Sequence, residues 1–72
     1  PLEGLVDIKA EGERISKEME RIQKDMNQVV SKLANTKFIE RAPKEVVEET
    51  RARRESLKVN LEQLEEMLDS LS

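Results

Sequence analysis

Lys44, Arg51 and Lys58 recur at intervals of seven residues, and the chemistry open to such a series is the binding of anions. Seven residues are close to two turns of an α-helix, so the three cations line one side of it. Lys37 and Arg41 precede them, with Phe38 between. A basic cluster holding an aromatic ring can neutralise phosphates and offer a face to an unstacked base. A plainer reading also fits. Each cation of the series has a glutamate four residues on, Glu48, Glu55 and Glu62, so the stripe also reads as a solvated helix face. Such pairs, cation first, contribute only roughly tenths of a kcal/mol.

Catalysis has little to stand on. The chain has no Cys and no His, which removes thiol chemistry, imidazole acid–base work and the common zinc sites. Phe38 is the single aromatic residue and 40% of residues are charged, so the apolar lining of a substrate or cofactor pocket is scarce. The acidic neighbours Glu48–Glu49 and Glu65–Glu66 do not face one another on a helix. Seventy-two residues allow one small domain that buries roughly 60% of its unfolded surface. No enzyme activity, metal or cofactor is expected of this chain. No apolar run approaches the roughly 18 residues of a membrane span, and no signal-peptide pattern is present, so no membrane partner is expected. The absence of Cys suits a reducing compartment such as the cytoplasm. The chain begins at Pro1, and is expected to be a piece of a longer protein.

The elements that must hold the cations are legible from hydrophobic period. So high a charge content suits disorder, but the apolar residues are too regular for that. Ile8, Ile15, Met19, Ile22, Met26, Val29 and Leu33 follow a spacing of four and three, broken only at Gly12. Leu57, Leu61, Leu64, Leu68 and Leu71 follow the same rhythm, which extends back through Arg54, Thr50 and Val47. These are heptads. Ile15, Leu57 and Leu64 take d positions, and Met19, Met26, Leu33, Leu61 and Leu68 take a positions. Asp7 suits the N-cap of the first helix. Asn35 can take the left-handed conformation that ends it, and Pro43 suits the first turn of the second. The fold class is all-α: two long antiparallel helices forming a coiled-coil hairpin, helix one over about 7–34, a turn over about 35–42, and helix two over about 43–71, within one domain, 1–72.

Antiparallel pairing sets a opposite d, and pairs whose numbers add to 76 satisfy it: Ile8 with Leu68, Ile15 with Leu61, Met19 with Leu57 and Val29 with Val47. Gly12 then meets Leu64, and Ile22 meets Arg54, whose stem can lie on the core. The hairpin is expected to pack best at its open base and near Met19, less well around Met26, Thr50 and Arg54, and to be marginally stable alone.

Charge is unevenly spread. The net is −3, but residues 32–58 carry +3 and the remainder −6. Folded as a hairpin, the tip is basic and the base acidic. Lys44, Arg51 and Lys58 fall at e positions opposite the uncharged Val30, Gln23 and Ser16. Arg53, at a g position, falls opposite Asp25 and is expected to pair with it. Phe38 and Ile39 lie in the turn, where covering the last core layer is their ordinary role. For Phe38, stacking on a base is the alternative. Met19, Met26 and Met67 read as core filling.

Two stretches resemble a known family. One is the opening Pro1, Leu2, Gly4, Leu5, Asp7; the other is Leu33, Asn35, Phe38, Ala42, Pro43, Val46, Val47. A generic coiled coil has no reason to set this Asn-x-x-Phe, Ala-Pro and Val-Val at these spacings. Together with the leucine-rich end they resemble the C-terminal coiled-coil arm of bacterial-type valyl-tRNA synthetases, over essentially the whole chain. The resemblance implies a cytoplasmic tRNA-binding arm that follows the anticodon-binding domain. In that family the arm packs on the outer corner of the tRNA, where the D and T loops meet, and helps hold it for valine attachment. ATP, valine and editing sites lie in other domains. The implied partners are valine tRNA and the remainder of the synthetase. Phe38 matches the family's aromatic in the turn, Arg41 and Lys44 flank its Ala-Pro, and Arg51 matches a position often Arg. With Lys37 added for its location and Lys58 from the stripe, these are the candidate RNA-binding residues. The chain departs from the family at Gly12 and Arg54, where an apolar residue is usual, and at Leu57, where an aromatic is common.

A rival reading is a structural or protein-interaction hairpin that docks on a protein or weakly on a second copy of itself, as in a four-helix bundle. The marginal core and the outward Val59 favour it.

Overall fold

The computed structural model describes residues 7–71. The opening Pro1, Leu2, Gly4 and Leu5 lie outside the described residues. Three helices follow in order: α1 (Ile8–Ala34), α2 (Thr36–Arg41) and α3 (Lys44–Leu71). α1 and α3 lie against each other as the two arms of a hairpin, and α2 occupies the turn against the end of α1. No strand is present among the described residues. The molecule measures 60 × 15 × 15 Å, the section of two helices side by side, which leaves no interior in which a substrate could be enclosed.

Each helix starts and stops for a local reason. Asp7 caps α1 as expected: its Oδ1 accepts the Ala10 N–H at 3.1 Å, and its carbonyl accepts the Glu11 N–H at 2.9 Å. Glu11 in the first turn and Lys32 in the last suit the helix macrodipole. Asn35 ends α1, but not in the left-handed conformation expected of it. Its backbone is extended, at φ −86° and ψ 109°. The difference follows from a second duty, since Asn35 also caps α2. Its side chain accepts the Lys37 N–H at 3.0 Å and its carbonyl accepts the Ile39 N–H at 3.2 Å. An N-cap needs extended backbone, so the left-handed state is closed to it. The expected turn over 35–42 is therefore mostly one short helix. Ala42 stops it with an extended backbone at ψ 147°, as the proline ring after it requires. Pro43 stands just before α3, and its carbonyl accepts the N–H groups of Val46 and Val47 at 3.0 and 3.1 Å.

The core is a thin seam. Ile15, Ile22 and Val29, the d series of α1, are buried, as are Val47 and Leu57 of α3. Ile22, Val29 and Leu57 form one cluster, with Met26, Leu33, Leu61 and Leu64 packed against it. Fully burying each such side chain contributes about 1.5–3 kcal/mol. Packing is thus close from Ile15, 1% exposed, up to Val29, and includes Met26, where the sequence predicts a weaker seam; it falls off at the base, where Ile8 is 55% exposed. The reason is Gly12, which supplies no side chain to the next layer. A Cβ there would lie 3.8 Å from Leu68 Cδ1. Leu68, paired with Ile8 in the expected register, leans toward the N-terminus of α3 as helical side chains do, and so reaches over Gly12. Arg54 is exposed, and Leu57 packs on Ile22 in its place. Thr50 sits in the seam half-buried, its hydroxyl donating to the Val46 carbonyl at 2.8 Å.

Candidate nucleic-acid interface

The hairpin has two sides, and its charges are treated differently on each. On one side run the g positions of both helices with their c neighbours. All three ion pairs found among the described residues lie there: Glu11–Arg14, Glu18–Arg21, and Asp25–Arg53 across the seam at 3.7 Å. The Arg53–Asp25 pair is the one that heptad position predicts. The Arg14 guanidinium hydrogen-bonds Glu11 and holds its carboxyl below the usual glutamate range, and raises in return the Arg14 value; Glu18 likewise raises that of Arg21. These arginines are committed to carboxylates of this chain.

The other side carries Lys44, Arg51 and Lys58. All three are exposed, and none enters an ion pair or hydrogen bond through its side chain among the described residues. The glutamates four residues on, Glu48, Glu55 and Glu62, do not close on them. Directly across the seam from these three cations stand uncharged residues, among them Val30, which is 46% exposed, and Gln23, whose amide donates to Asn27 at 3.1 Å. The stripe is interleaved with acids, one glutamate four residues after each cation.

The upper end of the stripe is the tip. Lys37 and Arg41 are exposed on α2, and Lys44 opens α3. Asn35 fixes the first turn of α2 and so places Lys37. Phe38 and Ile39 are half-buried. Phe38 is not a bare ring, because the Lys32 ammonium sits over it at 5.7 Å from the centroid, within cation–π range. Lys32 contributes to the sequence charge count of the tip half, but its spacing to Phe38 carries no helical signal. The two meet only because α2 folds back on the last turn of α1.

A basic tip and an uncommitted stripe can bind an anionic polymer through charge. Among the described residues no group of three or more His, Cys, Asp or Glu converges on one point, and no helix is long and apolar enough to cross a membrane.

Comparison with known proteins identifies the fold's kin. The family described as the valyl tRNA synthetase tRNA binding arm matches residues 7–72. The valine–tRNA ligase of Thermotoga maritima is 44% identical over 70 residues, which is 97% of this chain and 8% of the relative. That of Gluconobacter oxydans is 43% identical over 72 residues, 100% of this chain and 8% of the relative. That of Desulfotalea psychrophila is 39% identical over 71 residues, 99% of this chain and 8% of the relative. No solved structure matches. The chain thus spans about a twelfth of the length of the relatives it matches. With its paired helices, its Asn35–Phe38 turn and its Ala42–Pro43 junction all inside the matched region, the chain belongs to the valyl tRNA synthetase tRNA binding arm family.

Proposed function

We propose that this arm holds the outer corner of a tRNA, where the D and T loops meet, and so sets the position of the tRNA relative to a catalytic body elsewhere in the parent synthetase. The tip cations Lys37, Arg41 and Lys44, with Arg51 and Lys58 along one side, neutralise backbone phosphates. Phosphate contacts fix register and orientation without reading sequence. Discrimination of valine tRNA from other tRNAs is therefore assigned to other domains, and the arm itself attaches no amino acid and needs no cofactor.

One observation carries this reading. The tip cations have no carboxylate partner, while the arginines of the opposite side do. Exposed ion pairs contribute little to stability, so what the missing partners change is that the tip cations stay available to an anion. The test is tRNA binding by the parent synthetase at low and moderate salt, for the wild type and for a variant with Lys37, Arg41, Lys44 and Arg51 all changed to Ala. Weakened, less salt-sensitive binding in the variant supports the reading. Equal affinity and equal salt dependence would remove the tip from the interface. The rival reading, a hairpin that pairs with itself, has Val59 and Met67, 40% and 45% exposed, in its favour. It predicts a concentration-dependent mass in sedimentation that tRNA leaves unchanged.

A further inference from the structure

Lys32 stands in the last turn of α1 with no acidic partner among the described residues. By the register that joins Asp25 to Arg53, its neighbour across the seam is Val46, an apolar residue 40% exposed. Among the described residues its ammonium has one partner, the ring of Phe38, 5.7 Å away at the centroid. The nature of that partner matters. A carboxylate would hold the ammonium and cancel its charge. An aromatic ring holds it and leaves the charge intact, because the ring is neutral and attracts only through its quadrupole. The result is a cation restrained at the basic tip with its charge uncancelled. Lysine loses rotamer freedom when fixed, and part of that loss is met before any ligand arrives.

We propose that Lys32 is a further phosphate contact of the tRNA-binding tip, and that Phe38 acts as its positioning residue and not as a platform for a base. The inference rests on the tRNA-holding role proposed above and changes what Phe38 does within it. It extends the contact surface from the Lys44 side of the hairpin, over the tip, to the g position of α1. It also accounts for Phe38 being half-buried: an aromatic whose partner is a lysine on its own chain has no need to stand clear of the helix ends.

A double-mutant cycle separates the two roles of the ring. The parent synthetase is compared as wild type, Lys32→Ala, Phe38→Ala and the double variant, with tRNA affinity measured across a salt series. Lys32→Ala is expected to weaken binding about three- to ten-fold near physiological salt and to lower the salt slope by about 0.7–0.9, one phosphate contact. Phe38→Ala is expected to weaken it less, about two- to five-fold, and to have no further effect once Lys32 is Ala. Lys32→Arg, which keeps charge and ring contact, should retain most of the affinity, and Phe38→Tyr likewise. A Phe38→Ala loss that persists undiminished in the Lys32→Ala background would overturn the proposal in favour of base stacking. So would wild-type affinity for Lys32→Ala. In either case the four-alanine tip variant tells the two readings apart. If that variant loses binding, the arm's role stands and only the assignment of Lys32 fails; if it does not, both fail.

Discussion

At the scale of single residues, Asn35 does the most with the least. Its backbone N–H closes α1 on the Lys32 carbonyl at 3.1 Å, while its side chain and carbonyl open α2. An alanine there would keep the extended backbone and lose the side-chain acceptor. Asn35→Ala should therefore destabilise the hairpin by about 1 kcal/mol, and Asn35→Asp should restore it; urea unfolding of both variants is the check. Equal stability of Ala and Asp would mean that the cap bond to Lys37 contributes nothing. Residue-level chemistry was only partly legible in the sequence. Asp7 was, because a cap before a heptad run has one job. The Arg53–Asp25 pair was, because heptad position alone sets it. Asn35 misled, since Asn after a helix serves the left-handed state as well as the N-cap, and the choice depends on whether residues 36–41 coil again. The Lys32–Phe38 contact was hidden for the same reason, as it exists only once α2 has formed.

At the scale of elements, α3 is charged against its own dipole at its C-terminal end, while at its N-terminal end Glu45 suits the dipole and Lys44 opposes it. Lys44 stands at its positive N-terminal end, and beyond Lys58 it carries Glu62, Glu65, Glu66 and Asp69 with no cation in the last turn. Helix stability alone favours the reverse order, by about 0.3–1 kcal/mol for each charge near an end. Lys44→Glu should accordingly raise the unfolding midpoint slightly while weakening tRNA binding by the parent enzyme. A rise in both, or a fall in both, would break the link between the cation and the RNA. α1 holds the complementary weakness. Gly12 lies inside its second turn, half-buried, and a Cβ there meets Leu68 Cδ1 at an ordinary contact distance of 3.8 Å. Gly12→Ala should stabilise the hairpin by about 1 kcal/mol from helix propensity. An unchanged or lowered midpoint in thermal unfolding would mean that the base is not helical in solution as it is here. The heptads gave both long helices to within a residue, because burial at every seventh position leaves a periodic trace. They overstated the base, because periodicity counts Ile8 as core without asking what stands opposite it.

At the scale of the whole molecule, the hairpin is a rod with a charge gradient, basic at the tip and acidic at the open base. Glu62 is 18 positions from Lys44 along α3, or about 27 Å at 1.5 Å per residue. At physiological ionic strength the Debye length is about 8 Å, so acids at the base exert almost no field on a phosphate at the tip. This separation lets one short element carry net negative charge, −3, and still receive an anion. It also yields a prediction in which position, not total charge, decides. Changing Glu65 and Glu66, each more than a Debye length along the helix even from Lys58, to Gln would take the formal net charge of the chain from −3 to −1. On a net-charge argument such a change should strengthen tRNA binding markedly. On the tip argument it should leave affinity at about 0.15 M salt within roughly two-fold of wild type, with gains appearing only near 0.01 M, where the screening length approaches 30 Å. The measurement is tRNA affinity of the parent enzyme at both salts. A large gain already at the higher salt would place RNA along the base of the rod and not at its tip, and Lys37, Arg41 and Lys44 would then lose their claim to first contact.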